Sequence, residues 1–105
     1  MKKPVLFVLK MPFQDHEMPS ISNDSWFCTH CAMIEGALAI NTHWENHIEV
    51  RRIAHKKPRK EVIKYLGEQN QWLPVLIIND REHITDPIEI TAYLAKRFGG
   101  AAPHP

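Results

Sequence analysis

The sequence predicts an α/β fold: one domain of order β-α-β-α-β-β-α around a four-stranded mixed sheet. Three observations carry this. Short apolar, β-branched runs alternate with segments of helical period. The first two runs are separated by a helical segment, so they should lie parallel. The last two flank the turn signal Asn79-Asp80, so they should form an antiparallel hairpin. The chain has 105 residues, enough for one domain, and 44% of them are hydrophobic, enough for a core.

Residues 4–9, Pro-Val-Leu-Phe-Val-Leu, read as a buried strand. Residues 10–27 carry Pro12, Pro19, Ser20, Ser22, Asn23, Asp24 and Ser25, which is loop chemistry. A connection this long inside a small domain is often functional. The pattern turns helical over 29–40, with Ile34, Ala37 and Leu38 at i, i+3, i+4 and Met33 and Ile40 beside them. Gly36 costs that helix about 1 kcal/mol relative to Ala if exposed, unless it permits close packing on a sheet.

Residues 47–53 alternate as a second strand, with Ile48, Val50 and Ile53 pointing inward. Pro58 is expected to open a second helix at the tolerated first turn. Val62, Ile63 and Leu66 form its buried stripe, and Gly67 stops it. Pro74 precedes a third strand at 75–78, and residues 81–84 return as an edge strand. Asp86 is the N-cap of the last helix, Pro87 its first residue and Glu89 the third after the cap. Ile90, Tyr93, Leu94 and Phe98 share one face, Gly99-Gly100 ends the helix, and 101–105 reads as a flexible tail on a domain spanning 1–100. Tyr65 and Trp72 read as packing residues, and Trp26 as either packing or the mouth of a site.

Charge excludes some functions. Thirteen Lys plus Arg against 12 Asp plus Glu give no general reason to expect nucleic acid or an acidic membrane as partner. Lys10 breaks the first apolar run after six residues, short of the roughly 7–15 of a secretory signal, and no run nears the roughly 18 of a membrane span. A soluble cytoplasmic protein is the expectation. Oligomeric state is not legible.

Cys28 and Cys31 are the whole cysteine supply. In a reducing cytosol a permanent disulfide is not expected, so C-x-x-C reads as redox or as half of a metal site. The pair opens the first helix, where unpaired N–H groups and a partial positive charge favour a thiolate at Cys28. Such a position can lower a cysteine pKa from about 8.5 to roughly 3.5–7.5. Cys31, one turn on, can then attack a mixed disulfide formed at Cys28. His30, if protonated, adds nearby positive charge.

The metal reading has a tempting extension: Cys28, Cys31, His43 and His47 read C-x2-C-x11-H-x3-H. One helix through this segment puts His43 about 18 Å from Cys31, too far to share an ion. A site between molecules, or one completed by His16, stays open; no metal is assigned. His43, His47, His55 and His83 read as surface residues.

Trp26-Phe27-Cys28-Thr29-His30-Cys31 resembles the thioredoxin and glutaredoxin active-site segment, and Leu73-Pro74-Val75 resembles that superfamily's cis-proline signature. Residues 73–94 also resemble the glutathione transferase N-terminal domain, with Ile90-Thr91-Ala92-Tyr93-Leu94 matching its final helix. End to end the chain resembles a bacterial family of small thioredoxin-like proteins of unknown function, with a long first loop, Cys-x-x-Cys-Ala-x-Ile-Glu-Gly and a Pro-Val-Leu strand. The resemblance implies a thioredoxin-like fold and a thiol-disulfide oxidoreductase with Cys28 as nucleophile and Cys31 as resolving thiol. It puts Pro74, Leu73, His30, Trp26 and Asp86 on the substrate side. The partner would be a disulfide-containing protein or a small thiol, with no resident cofactor.

Three departures matter. The transferases' acidic-Ser pair falls on Asp86-Pro87, and Pro87 has neither the hydroxyl nor the N–H that Ser gives to glutathione. Thioredoxin's Gly-Pro is replaced by Thr29-His30, and the loop before Cys28 is longer. The run Arg51-Arg52 and His55-Lys56-Lys57-Pro58-Arg59-Lys60 is a solvated face or, if near the site, an anchor for an anionic group such as the glycyl carboxylate of glutathione. The competing function is a non-catalytic binding module that presents the loop and cysteine edge to a protein, ligand or metal.

Overall fold

The computed structural model describes residues 3–18 and 25–105. Pro19, Ser20, Ser22, Asn23 and Asp24 of the expected loop lie outside the described residues.

The elements in order are β1 (Val5–Leu9), β2 (Phe13–Gln14), β3 (Ser25–Trp26), α1 (Thr29–Ile40), a 3₁₀ turn (Thr42–Asn46), β4 (Glu49–Ile53), α2 (Lys60–Leu66), β5 (Val75–Ile77), β6 (His83–Ile84) and α3 (Pro87–Phe98). The main sheet is mixed, in the order β4-β1-β5-β6. β1 runs parallel to β4 and antiparallel to β5, and β6 is antiparallel to β5.

β1 has strands on both sides and helices over both faces, which is why all five of its residues are buried and apolar. Its alternation divides the core. Leu6 and Val8 join Ile34, Leu38, Leu76, Ile90 and Leu94 under α1 and α3, while Val5 and Phe7 join Val62, Val75 and Ile77 under α2.

Several expectations change. The segment 10–27 is not wholly loop: Phe13 pairs with Trp26 and Gln14 with Ser25 in a short antiparallel ladder. Two-residue strands carry too little pattern to be seen in a sequence. Pro58 lies outside α2, which starts at Lys60 behind Arg59. Ile48 is buried but precedes β4. The β5–β6 connection spans 78–82, because the Asn79 carbonyl oxygen of the side chain accepts the Arg81 and Glu82 N–H groups at 2.8 and 3.0 Å and widens the turn. Gly36 is exposed, with open space where a Cβ would stand, so it permits no close packing. Trp72 is 51% exposed rather than packed, and Ile40 is exposed at the end of α1.

The last helix forms as its sequence predicts. Asp86 accepts the Glu89 N–H at 3.0 Å and Pro87 is the first helical residue. Ala101 is tied to the body: its N–H donates to Asn41 Oδ1 at 2.7 Å and its carbonyl accepts from Asn41 Nδ2 at 3.2 Å. Trp44 Nε1 donates to the Gly99 carbonyl at 2.7 Å, and His43 Nε2 bonds the same oxygen at 2.9 Å. Asn41 is the buried polar side chain that makes this junction.

Candidate functional site

Cys28 is the N-cap of α1. Its backbone is extended at φ −82°, ψ 122°, and its Sγ accepts the Cys31 N–H at 3.3 Å. A side-chain oxygen usually takes this role; here it is sulfur, so the orphan donor of the helix start points at the thiol. The Cys28 N–H in turn donates to Met11 Sδ at 3.2 Å. Cys28 is half-buried, and Cys31 is fully buried.

Cys31 sits against the end of β1. The β1–β5 pairing ends at Phe7–Val75, so the Leu9 N–H has no strand partner on that edge and donates to Cys31 Sγ at 3.3 Å. Burial pushes the Cys31 thiol up to about 12, against the Leu9 hydrogen bond, which lowers it; the Cys28 sulfur and Glu35 raise it further. The two cysteines approach to 3.5 Å and both are free thiols.

Leu73 and Pro74 immediately precede β5, whose first residue Val75 pairs with Phe7 of β1. Pro74 is buried and the Leu73–Pro74 bond is cis. Leu73 packs on the core cluster that holds Cys31, as does Cys28. Trp26, in β3, is half-buried, and His30 is exposed in the first turn of α1. Asp86 caps α3; that hydrogen bond is the contact its carboxylate makes.

His43 and His47 lie beyond the opposite end of α1. His43 bonds Gly99, and His47 stacks on Phe98 with ring centroids 4.8 Å apart. Among the described residues no group of three or more His, Cys, Asp or Glu is placed to hold a metal ion. Among them, too, no helix is long and apolar enough to cross a membrane.

Sequence reasoning missed two residues of the site. Met11 carried no signal, since a thioether acceptor belongs to no motif. Arg59 was lost in its basic run, whose members the structure separates. Arg51 pairs with Glu49 and Glu61, and Arg52 donates from Nε and Nη2 to the two carboxylate oxygens of Glu35, each at 2.8 Å. Arg59 donates to the His55 carbonyl at 2.7 and 3.1 Å and to the Gln71 carbonyl at 2.7 Å. Burial lowers the Arg59 guanidinium, and the Cys31 and Cys28 sulfurs push it back up. Arg59 is therefore a partly buried cation held by two backbone carbonyls.

Arg59 and Leu73 also line an open groove of about 1000 Å³. His55, Lys56, Lys57, Gln71 and Trp72 line it too, together with Gln14, Asp15, His16 and Glu17.

Residues 3–102 match the family model described as protein of unknown function (DUF3088). The chain belongs to that family. No curated protein and no solved structure matches this DUF3088 chain. In this member the family's span covers the sheet, all three helices and the cysteine pair.

Proposed function

We propose that this DUF3088 protein is a thiol-disulfide oxidoreductase built on a thioredoxin-like domain. The strand order β4-β1-β5-β6, with a dithiol at the start of the helix that crosses from β1 to β4, supports the fold reading. One observation carries the chemical reading: the Cys28 sulfur accepts the helix-opening N–H of Cys31 while Cys31 itself is buried beneath it.

A helix N-terminus favours negative charge on the capping sulfur, and thiolate is the attacking form. Cys28 attacks one sulfur of a substrate disulfide. The Cys28–substrate S–S bond forms, the substrate S–S bond breaks, and the leaving sulfur departs as thiolate. Cys31 then attacks Cys28 Sγ. Its proton goes to the departing substrate sulfur, and the Cys28–Cys31 disulfide remains. Two electrons pass from the dithiol to the substrate.

The raised Cys31 thiol suits this order, because it stays protonated until a mixed disulfide forms beside it. Reduction of a protein disulfide in the presence of dithiothreitol tests the reading. Turnover is expected in the native protein and its loss in Cys28→Ser; equal rates in both contradict it. A binding module is the second reading, and the groove beside Leu73 and Arg59 favours it.

A further inference from the structure

We infer that the groove lined by Leu73, which packs on the same core cluster as Cys28 and Cys31, docks an acidic segment of a partner protein, next to that partner's reactive cysteine, with Lys56 and Lys57 as the recognition charges and Trp72 as the apolar contact. The inference rests on the oxidoreductase reading for the chemistry and on the groove alone for the docking.

The charges on its walls are not equivalent. Asp15 is engaged: it faces His55 Nε2 at 3.8 Å and accepts the Glu17 N–H at 3.1 Å. His55 is further held by stacking on Phe13, with ring centroids 4.4 Å apart and planes 6° from parallel. Arg59 is committed to two backbone carbonyls. Lys56 and Lys57 are exposed and make no ion pair among the described residues. Glu17 also lines the groove and disfavours an anion beside it, so an acidic segment lies along Lys56 and Lys57.

The rim identifies the partner as a macromolecule. Trp72, which lines the groove, is 51% exposed. Large apolar side chains beside a charged groove are what a protein interface covers, with aromatic residues contributing most. A small thiol leaves Trp72 in water.

The test uses matched peptides that each carry one cysteine as a mixed disulfide with thionitrobenzoate, flanked by Glu and Asp, by neutral residues, or by Lys and Arg. Attack by Cys28 forms the Cys28–peptide disulfide and releases coloured thionitrobenzoate in every case, so its rate reports docking. The acidic peptide should react about tenfold faster than the basic one, the effect of one or two exposed ion pairs. The preference should fade as salt shortens electrostatic range, and Lys56→Glu with Lys57→Glu should invert it. Equal rates for all peptides overturn the docking and leave the redox reading standing. The same holds if the preference persists in the double variant, or if the glutathione mixed disulfide reacts as fast as the acidic peptide. In a second arm, anisotropy measures binding of cysteine-to-serine peptides to Cys28→Ser protein. Preferential binding of the acidic peptide there, with no thionitrobenzoate released by the native protein, supports the docking and removes the redox reading.

Discussion

The N–H of Cys31 donates to the sulfur of Cys28 at 3.3 Å, so the second cysteine of the pair presents the helix start to the first. The two thiols thereby occupy unlike environments only 3.5 Å apart. One is a half-buried cap on a helix terminus. The other is enclosed by β1 and α1 and accepts a strand N–H.

That asymmetry predicts selective alkylation. At pH 8 iodoacetamide should add once to the native protein, at Cys28. Cys31 is fully buried with its thiol pushed up to about 12, so it should label only after denaturation. Peptide mass mapping checks this. Equal labelling of both cysteines in native protein contradicts it.

The raised Cys31 thiol also predicts a pH dependence of stability. Its ordinary value is 9.0, and in the fold it is about 12. Between these the unfolded chain loses a proton that the folded chain retains, so alkali favours unfolding. Stability should be unaffected by this group below pH 9 and fall above it, by at most about 1.4 kcal/mol per pH unit. Urea titrations across that window should show the slope flatten in Cys31→Ala.

The junction between α1 and the C-terminal segment predicts a stability effect far from the thiols. Trp44→Phe removes the donor to Gly99 and should cost about 1 kcal/mol. Asn41→Ala breaks both links to Ala101 and a bond to the Ala37 carbonyl, and should cost about 2–3 kcal/mol. Gly100 has φ +111°, and an added Cβ would lie 2.4 Å from Asn41 Oδ1, so Gly100→Ala should destabilise as well. Chemical denaturation orders the three.

Asp86→Ala should lower stability by about 1 kcal/mol through loss of the α3 cap, and Asp86→Asn should restore most of it. Thermal melts of the two variants distinguish capping from a general effect of charge, because Asn caps without one.

The sequence made the core strands and the first and last helices legible because their signals are local. β1 is an unbroken apolar run, and Asp86-Pro87-x-Glu89 marks a helix start without tertiary information. The β2–β3 ladder was hidden because pairing Phe13 with Trp26 is a long-range event with no periodic trace. Pro58 misled because its fit to a first helical turn is a property shared with many turns. Trp72 misled because size alone suggests burial, yet here it borders a groove. Within the site, Cys28, Cys31 and Pro74 were readable from spacing and order. Arg59 was not, since only the folded chain shows which cation of a basic run is tied to backbone carbonyls in the groove that Leu73 lines.

The central claim is that Cys28 and Cys31 interconvert between dithiol and disulfide as a working pair. Redox titration of the native protein tests it most directly, with the disulfide quantified by mass after acid quenching. The account predicts a single two-electron transition between a Cys28–Cys31 disulfide and two thiols, at a potential within the roughly −270 to −120 mV spanned by thiol-disulfide oxidoreductases. A pair that forms no intramolecular disulfide anywhere in that range contradicts it.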